Sequence, residues 1–277
     1  MGRPAKWLWL LLWLPAVTGV GSAHEDLLLQ IERLTRQIEQ EPERAILYFR
    51  RGELHRMHED WKAAREDLER AGARDPELAV VDLALGRLWN QSGDARQARV
   101  ALDRFLARQP VHGEALIERA RAKVRLDQRA SALEDYTRGL QHLEQPRPEN
   151  YIERAEILRS EGRLDEALRG LEEGLRKVGE ALPLQLAILD LELETAQVDS
   201  ALARLEAIAL RSERQDLWLA RRGEILSQAG RTPEAIQAFQ AALASIGALP
   251  PARRKTKFTG DLERKLRAAL EATNEKP

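Results

Sequence analysis

The chain has 277 residues, 44 Lys and Arg against 45 Asp and Glu, a formal net charge of -1 and no cysteine. The balanced charge argues against a general nucleic-acid binder, which needs a basic surface to displace phosphate counterions, and the lack of cysteine excludes disulfides, thiolate chemistry and cysteine-ligated zinc. With 32% charged and only 5% aromatic residues, the composition favours helices with exposed polar faces, on a chain long enough for a large buried core.

The first residues differ from the rest. Arg3 and Lys6 precede an apolar run, Trp7 to Val17, and small or apolar residues follow from Gly19 to Ala23. This order reads as a secretory signal over 1–23, cut after Ala23. The run is short for a membrane span, which needs about 20 apolar residues, although a retained signal would act as an anchor. Export is therefore expected, to the periplasm if the source is bacterial. Residues 24–42 carry Leu28, Ile31, Leu34 and Ile38 at helical spacing and predict an N-terminal capping helix.

From residue 43 to 247 one pattern recurs. Ala64, Ala98, Ala132, Ala167, Ala201 and Ala235 stand 34 or 35 residues apart, and each is followed four positions later by Leu68, Leu102, Tyr136, Leu171, Leu205 or Phe239. Four residues is about one helical turn, so each pair shares a face. Twelve positions before the alanine lies a small residue in five units: Gly52, Gly86, Ala120, Ala155 and Gly223. Glycine inside a helix costs about 1 kcal/mol against alanine, and close approach of two helices is the reason expected here. Gly93-Asp94, Gly162-Arg163 and Gly230-Arg231 predict helix ends with a left-handed glycine, and Pro76 and Pro110 separate successive hairpins.

These residues resemble the tetratricopeptide repeat family. The second unit reads Leu85-Gly86, Trp89, Ala98, Leu102 and Pro110; the first reads Tyr48, Gly52, Ala64, Leu68 and Pro76. The fifth departs, with Leu189 at the small position and Gln197-Val198 at the turn, which predicts different packing there. The resemblance implies an all-α, right-handed superhelical solenoid of about six antiparallel helix hairpins with capping helices at both ends. After the last hairpin, residues 248–277 predict a stiff basic loop with Pro250-Pro251, Arg253, Arg254, Lys255 and Lys257. A capping helix follows, marked by Leu262, Leu266 and Leu270 and N-capped by Thr259 or Asp261.

The resemblance also implies a concave groove, lined by the first helix of each pair, that holds a protein or peptide. One position to either side of the packed stripe, that groove would offer Arg50, Arg56, Arg87, Asn90, Arg121, Arg125, Arg159 and Arg221, with Glu53, Met57, Ile117, Glu156 and Glu224 among them. Guanidinium groups grip carboxylates in paired hydrogen bonds, so an acidic segment or a free C-terminus would suit this surface. The lysine-asparagine pattern of the chaperone-binding members of the family is missing, and their ligand is not carried over.

No phosphate loop, nucleophile elbow or metalloprotease histidine pair occurs, so neither catalysis nor a cofactor is expected. His55 and His58 are three apart, a spacing that can share a metal, but His55 stands where the next unit has Trp89 and reads as a packing residue. Two further readings stand beside the exported scaffold. His24, exposed as a new N-terminus, would chelate copper through its amine and imidazole, making the protein a copper-binding accessory factor. A membrane-associated assembly subunit would use the retained signal or the basic loop, the only two features that predict membrane contact.

Overall fold

A computed structural model of the protein describes residues 20–274, with side chains from 26 to 273. Residues 1–19 of the expected signal lie outside the described residues, and residues 20–23 begin a helix that continues through the expected cleavage point. Of His24 only the backbone is described.

All regular structure among the described residues is helical. In chain order the helices are α1 (Val20–Gln40), α2 (Ala45–Met57), α3 (Trp61–Arg74), α4 (Val80–Ser92), α5 (Ala95–Arg108), α6 (Gly113–Arg125) and α7 (Arg129–His142), which form a first compact unit. The second unit holds α8 (Pro148–Ser160), α9 (Leu164–Val178), α10 (Leu182–Glu194), α11 (Val198–Ala209), α12 (Gln215–Gln228), α13 (Thr232–Gly247), α14 (Pro251–Arg254) and α15 (Lys257–Asn274). Each unit stacks three helix hairpins: α2/α3, α4/α5 and α6/α7 in the first, α8/α9, α10/α11 and α12/α13 in the second. We refer to the two helices of a hairpin as A and B.

The 34-residue marker is the hairpin core. The six repeated alanines are completely buried, and the bulky residues one turn later are at most 2% exposed. The small residue of helix A lies under the bulky residue of helix B. A Cβ added to Gly86 would lie 2.4 Å from Leu102 Cγ, and one added to Gly223 would lie 2.4 Å from Phe239 Cδ1. Hairpin five has the buried Leu189 instead, packed with Ala201, Leu202 and Leu205, and its two helices approach less closely than those of any other hairpin.

Every hairpin turns through a left-handed residue at one repeat position: Glu59, Gly93, Asp127, Gly162, Ala196 and Gly230, with φ between 58° and 96°. The three glycines are those the sequence marks as turns. Between hairpins of the first unit, the proline carbonyls are held by arginine. Arg74 Nε donates to Pro42 O at 2.7 Å and Arg108 Nη1 to Pro76 O at 3.0 Å. In the third hairpin the corresponding position is His142, and Arg138, one turn earlier, donates to Pro110 O at 3.1 Å instead.

Both flanking helices pack as expected. Ile38 of α1 is buried with Leu47 and Tyr48, and Leu266 of α15 is buried among Phe239, Ala242 and Ile246. The segment before α15 is not wholly the stiff basic loop expected. Pro250 and Pro251 start the short helix α14, because proline has no N–H to lose in the first turn of a helix. Helix α15 begins at Lys257, two residues before the expected cap Thr259, whose side chain is fully buried.

Candidate partner-binding face

In each unit the A helices keep one face that the B helices do not cover, and side chains on it meet across neighbouring hairpins. In the first unit, Arg56 Nε bonds Glu53 at 2.9 Å and its Nη1 donates to Gln91 Oε1 of the next A helix at 2.8 Å. Arg87 Nη2 lies 2.6 Å from Glu114 Oε2 and its Nη1 3.8 Å from Glu53 Oε2, so it bridges α2, α4 and α6. Arg121 pairs with Glu118 at 2.7 Å, and Arg125 donates to the backbone carbonyl of Asn90. Arg50, at the repeat position of Glu118, is exposed. The structure thus gathers Arg56, Arg87, Asn90, Arg121 and Arg125 on one face.

It also alters what they offer. Each of Arg56, Arg87 and Arg121 is held by a carboxylate, so the face is a lattice of ion pairs and not a row of free guanidiniums. Asn90 is only 4% exposed: its Nδ2 donates to Glu118 O at 2.8 Å and to Glu118 Oε2 at 2.7 Å. It positions Glu118 and does not face solvent. Its Oδ1 is buried and takes no hydrogen bond from any of the described residues. Ile117 is not a groove residue. It is buried, and a Cβ on Gly139 of α7 would lie 2.9 Å from its Cδ1.

Three exposed apolar side chains stand at repeat positions that carry members of this network in neighbouring hairpins. Met57 (59% exposed) stands one repeat before Gln91, Val80 one repeat before Glu114, and Val124 one repeat after Asn90. Met57 is among the groove residues the sequence predicts; periodicity could also have found Val124, which is apolar where the neighbouring repeats carry Asn90 and Arg159.

In the second unit the corresponding face is richer in carboxylates. Arg159 Nε lies 2.6 Å from Glu194 and its Nη1 3.5 Å from Glu156; Arg221 lies 3.1 Å from Glu224 and 3.9 Å from Asp190. Burial pushes the Asp190 carboxyl above its usual range, with Glu156 and Glu194 adding to the effect and Arg221 and Arg159 opposing it.

In the first unit the buried charges lie elsewhere, on the A–B seams of the first and third hairpins. Arg51 makes a two-point contact with Asp67 (2.6 and 2.8 Å), and Arg119 does the same with Asp135 (2.7 and 2.8 Å). Leu85 and Ala101 occupy those positions in the hairpin between them. His55 is half-buried, 3.9 Å from Asp67, and burial lowers its pKa against the pull of that carboxylate, which fits a packing residue. Among the described residues no group of three or more His, Asp or Glu gathers as a metal site, and no helix is long and apolar enough to cross a membrane.

No curated protein matches the chain in sequence. Residues 186–252 match the tetratricopeptide repeat family model. Among solved structures, a tetratricopeptide repeat protein from Parabacteroides merdae is similar with a TM-score of 0.56 at 18% identity, covering 92% of this chain and 94% of that one. PilF from Pseudomonas aeruginosa is similar with a TM-score of 0.58 at 14% identity, covering 82% and 98%. Yeast Tom70 gives 0.51 at 14% identity, covering 86% of this chain and 46% of its own length. At these identities the structures establish the fold; with the family match and the six-fold 34-residue period, they identify a tetratricopeptide repeat chain.

Proposed function

We propose that this chain is an exported, non-catalytic scaffold that binds a segment of another protein along the A-helix face of its first unit. The observation that carries the reading is the exposure of three apolar side chains, Met57, Val80 and Val124, at A-helix positions whose counterparts in neighbouring repeats, Gln91, Glu114 and Asn90, belong to the polar network around Arg56 and Arg87. Exposed apolar side chains set among fixed charges are what a protein-binding surface presents, with the apolar residues supplying affinity and the charges register. An acidic partner would have to displace Glu53, Glu114 or Glu118 from arginines they already hold. An amphipathic segment needs no such exchange, so that is the partner class proposed. The assignment from fold to interaction rests on analogy; the face itself rests on the residues.

A photo-crosslinking residue placed at Met57 or Val124 tests this in the native cells. It is expected to trap one discrete partner, whereas the same residue at Val100, an exposed position on α5, traps none. Equal trapping at all three positions, or none at any, would remove this face as the site. The same purified sample, sequenced from its N-terminus, is expected to start at His24; a start at Met1 would mean that the signal is retained.

A further inference from the structure

We propose that the platform formed by α14 and the start of α15 docks on an anionic lipid surface. The inference is independent of the A-helix face. Arg253, Arg254, Lys255 and Lys257 follow one another within five residues, and all are exposed. Arg253 lies 3.6 Å from Glu213, and among the described residues Arg254 is bound only to a backbone carbonyl, that of Gly247, at 3.1 Å. Lys255 and Lys257 have no ion-pair partner among the described residues. Here the charge is not cancelled by neighbours as it is on the A-helix face.

One large apolar side chain stands among these cations, and a second lies on a segment joined to the platform. Phe258 is 43% exposed and Leu210 is 81% exposed. The segment after Leu210 is held against the platform, through Glu213 to Arg253 and through the Arg214 guanidinium, 5.6 Å from the centre of the Phe258 ring. Arg214 is itself bound to Asp216 at 2.6 and 2.8 Å, so it is not a spare cation.

The platform is ordered. Thr256 Oγ1 donates to Arg253 O at 3.0 Å, Thr259 Oγ1 donates to the same oxygen at 3.0 Å, and the two hydroxyls lie 2.9 Å apart. The basic side chains therefore stand on a fixed turn and not on a loose linker.

Uncancelled cations beside single exposed apolar side chains fit a bilayer interface. The cations meet the negative surface potential, and phenylalanine and leucine enter the boundary between headgroups and acyl chains. An acidic protein segment would use the cations but would leave Phe258 and Leu210 in water. Each basic side chain near an anionic surface raises affinity about fivefold.

The test is co-sedimentation of the full chain with vesicles of phosphatidylcholine alone and of phosphatidylcholine mixed with phosphatidylglycerol. The apolar run of residues 7–17 can partition into either vesicle, so the readout is the anionic-minus-neutral difference. That difference is expected to be positive, to shrink with added salt, and to fall by about 25-fold or more in a Lys255→Glu/Lys257→Glu variant. Phe258→Ser is expected to reduce it further. A Lys62→Glu/Lys177→Glu variant makes the same change in net charge at exposed positions on α3 and α9 and is expected to keep the parent's difference. No preference for anionic vesicles would overturn the proposal, as would equal loss in both charge-reversal variants. Binding to polyglutamate without binding to anionic vesicles would also overturn it and make the platform a protein contact.

Discussion

Ala196 holds φ at +58° at the turn of the fifth hairpin, where Gly93, Gly162 and Gly230 stand in the second, fourth and sixth. A Cβ there crowds the neighbouring carbonyl, a cost of roughly 1–2 kcal/mol for an ordinary L-residue. Glycine removes that cost but loses more entropy on folding, roughly 0.5–1 kcal/mol. The strain term is the larger, so Ala196→Gly is expected to raise stability by about 0.5–1 kcal/mol, read as a higher urea midpoint with unchanged slope. Asp127 has the same backbone (φ +58°), but aspartate tolerates this region better, so Asp127→Gly should gain less. If the two substitutions were equivalent, or Ala196→Gly lowered the midpoint, the turn would not be strained as argued.

The same weighing of propensity against space applies to glycines inside helices. Replacing glycine by alanine in a helix gains about 1 kcal/mol in propensity, and overpacking a core costs about 1–3 kcal/mol. At Gly260 of α15 nothing lies within 4 Å of an added Cβ, so Gly260→Ala should stabilise by the full propensity term. At Gly86 the new Cβ would meet Leu102 at 2.4, 2.7 and 3.1 Å, and Leu102 is fully buried with nowhere to go. Gly86→Ala is therefore expected to cost about 1–2 kcal/mol net, with Gly52→Ala, whose nearest contact is 3.0 Å, in between. Thermal melts of the three variants check the order; a stabilised Gly86→Ala would mean that the A and B helices can slide apart.

At this scale the sequence is easy to read, because a small residue facing a large one is written in residue size and repeated at a fixed spacing. Charges are harder. Arg50 and Arg51 are adjacent on α2, yet Arg50 is exposed and Arg51 turns inward to Asp67. Arginine sits well on either face, so identity alone does not choose; what chooses is a carboxylate 16 residues away on the partner helix. That signal was available, since Arg51/Asp67 and Arg119/Asp135 share the spacing two repeats apart. The period sets the predicted arginines at recurring positions of the A helices. Their neutralisation was legible only in part: Glu53, Glu118, Glu156 and Glu224 stand three residues from Arg56, Arg121, Arg159 and Arg221 on the same helix, whereas Glu114 and Glu194 reach Arg87 and Arg159 from other helices. The basic segment differs for another reason: Pro250-Pro251 predicts a stiff loop, whereas Pro251 stands at the first position of α14, where proline starts a helix.

For the whole molecule, 44 basic and 45 acidic side chains leave almost no net charge, and the pairing is largely local, so long-range electrostatics do not hold the hairpins together. Within each unit nearest-neighbour packing does, as expected for a repeat array, where one hairpin covers the apolar side of the next and the ends need covers of their own. In the first unit, α1 supplies that cover: Thr35 accepts a hydrogen bond from Arg51 Nη1 at 2.9 Å, as Asp103 of α5 does from Arg119 Nη1 at 2.9 Å. Both lie 16 residues before their arginine, so α1 occupies the place of a preceding B helix. In the second unit, α15 covers α13 through Leu266, 3% exposed and packed with Ala242 and Ile246. Leu266→Ala is expected to cost about 2–5 kcal/mol, the usual range for removing a buried leucine side chain. The loss should be local: amide exchange in α13 and α15 should accelerate while α4 and α6 keep the parent's protection. If exchange rose equally in all four helices, the chain would unfold as one cooperative body, and the nearest-neighbour description would have to be abandoned.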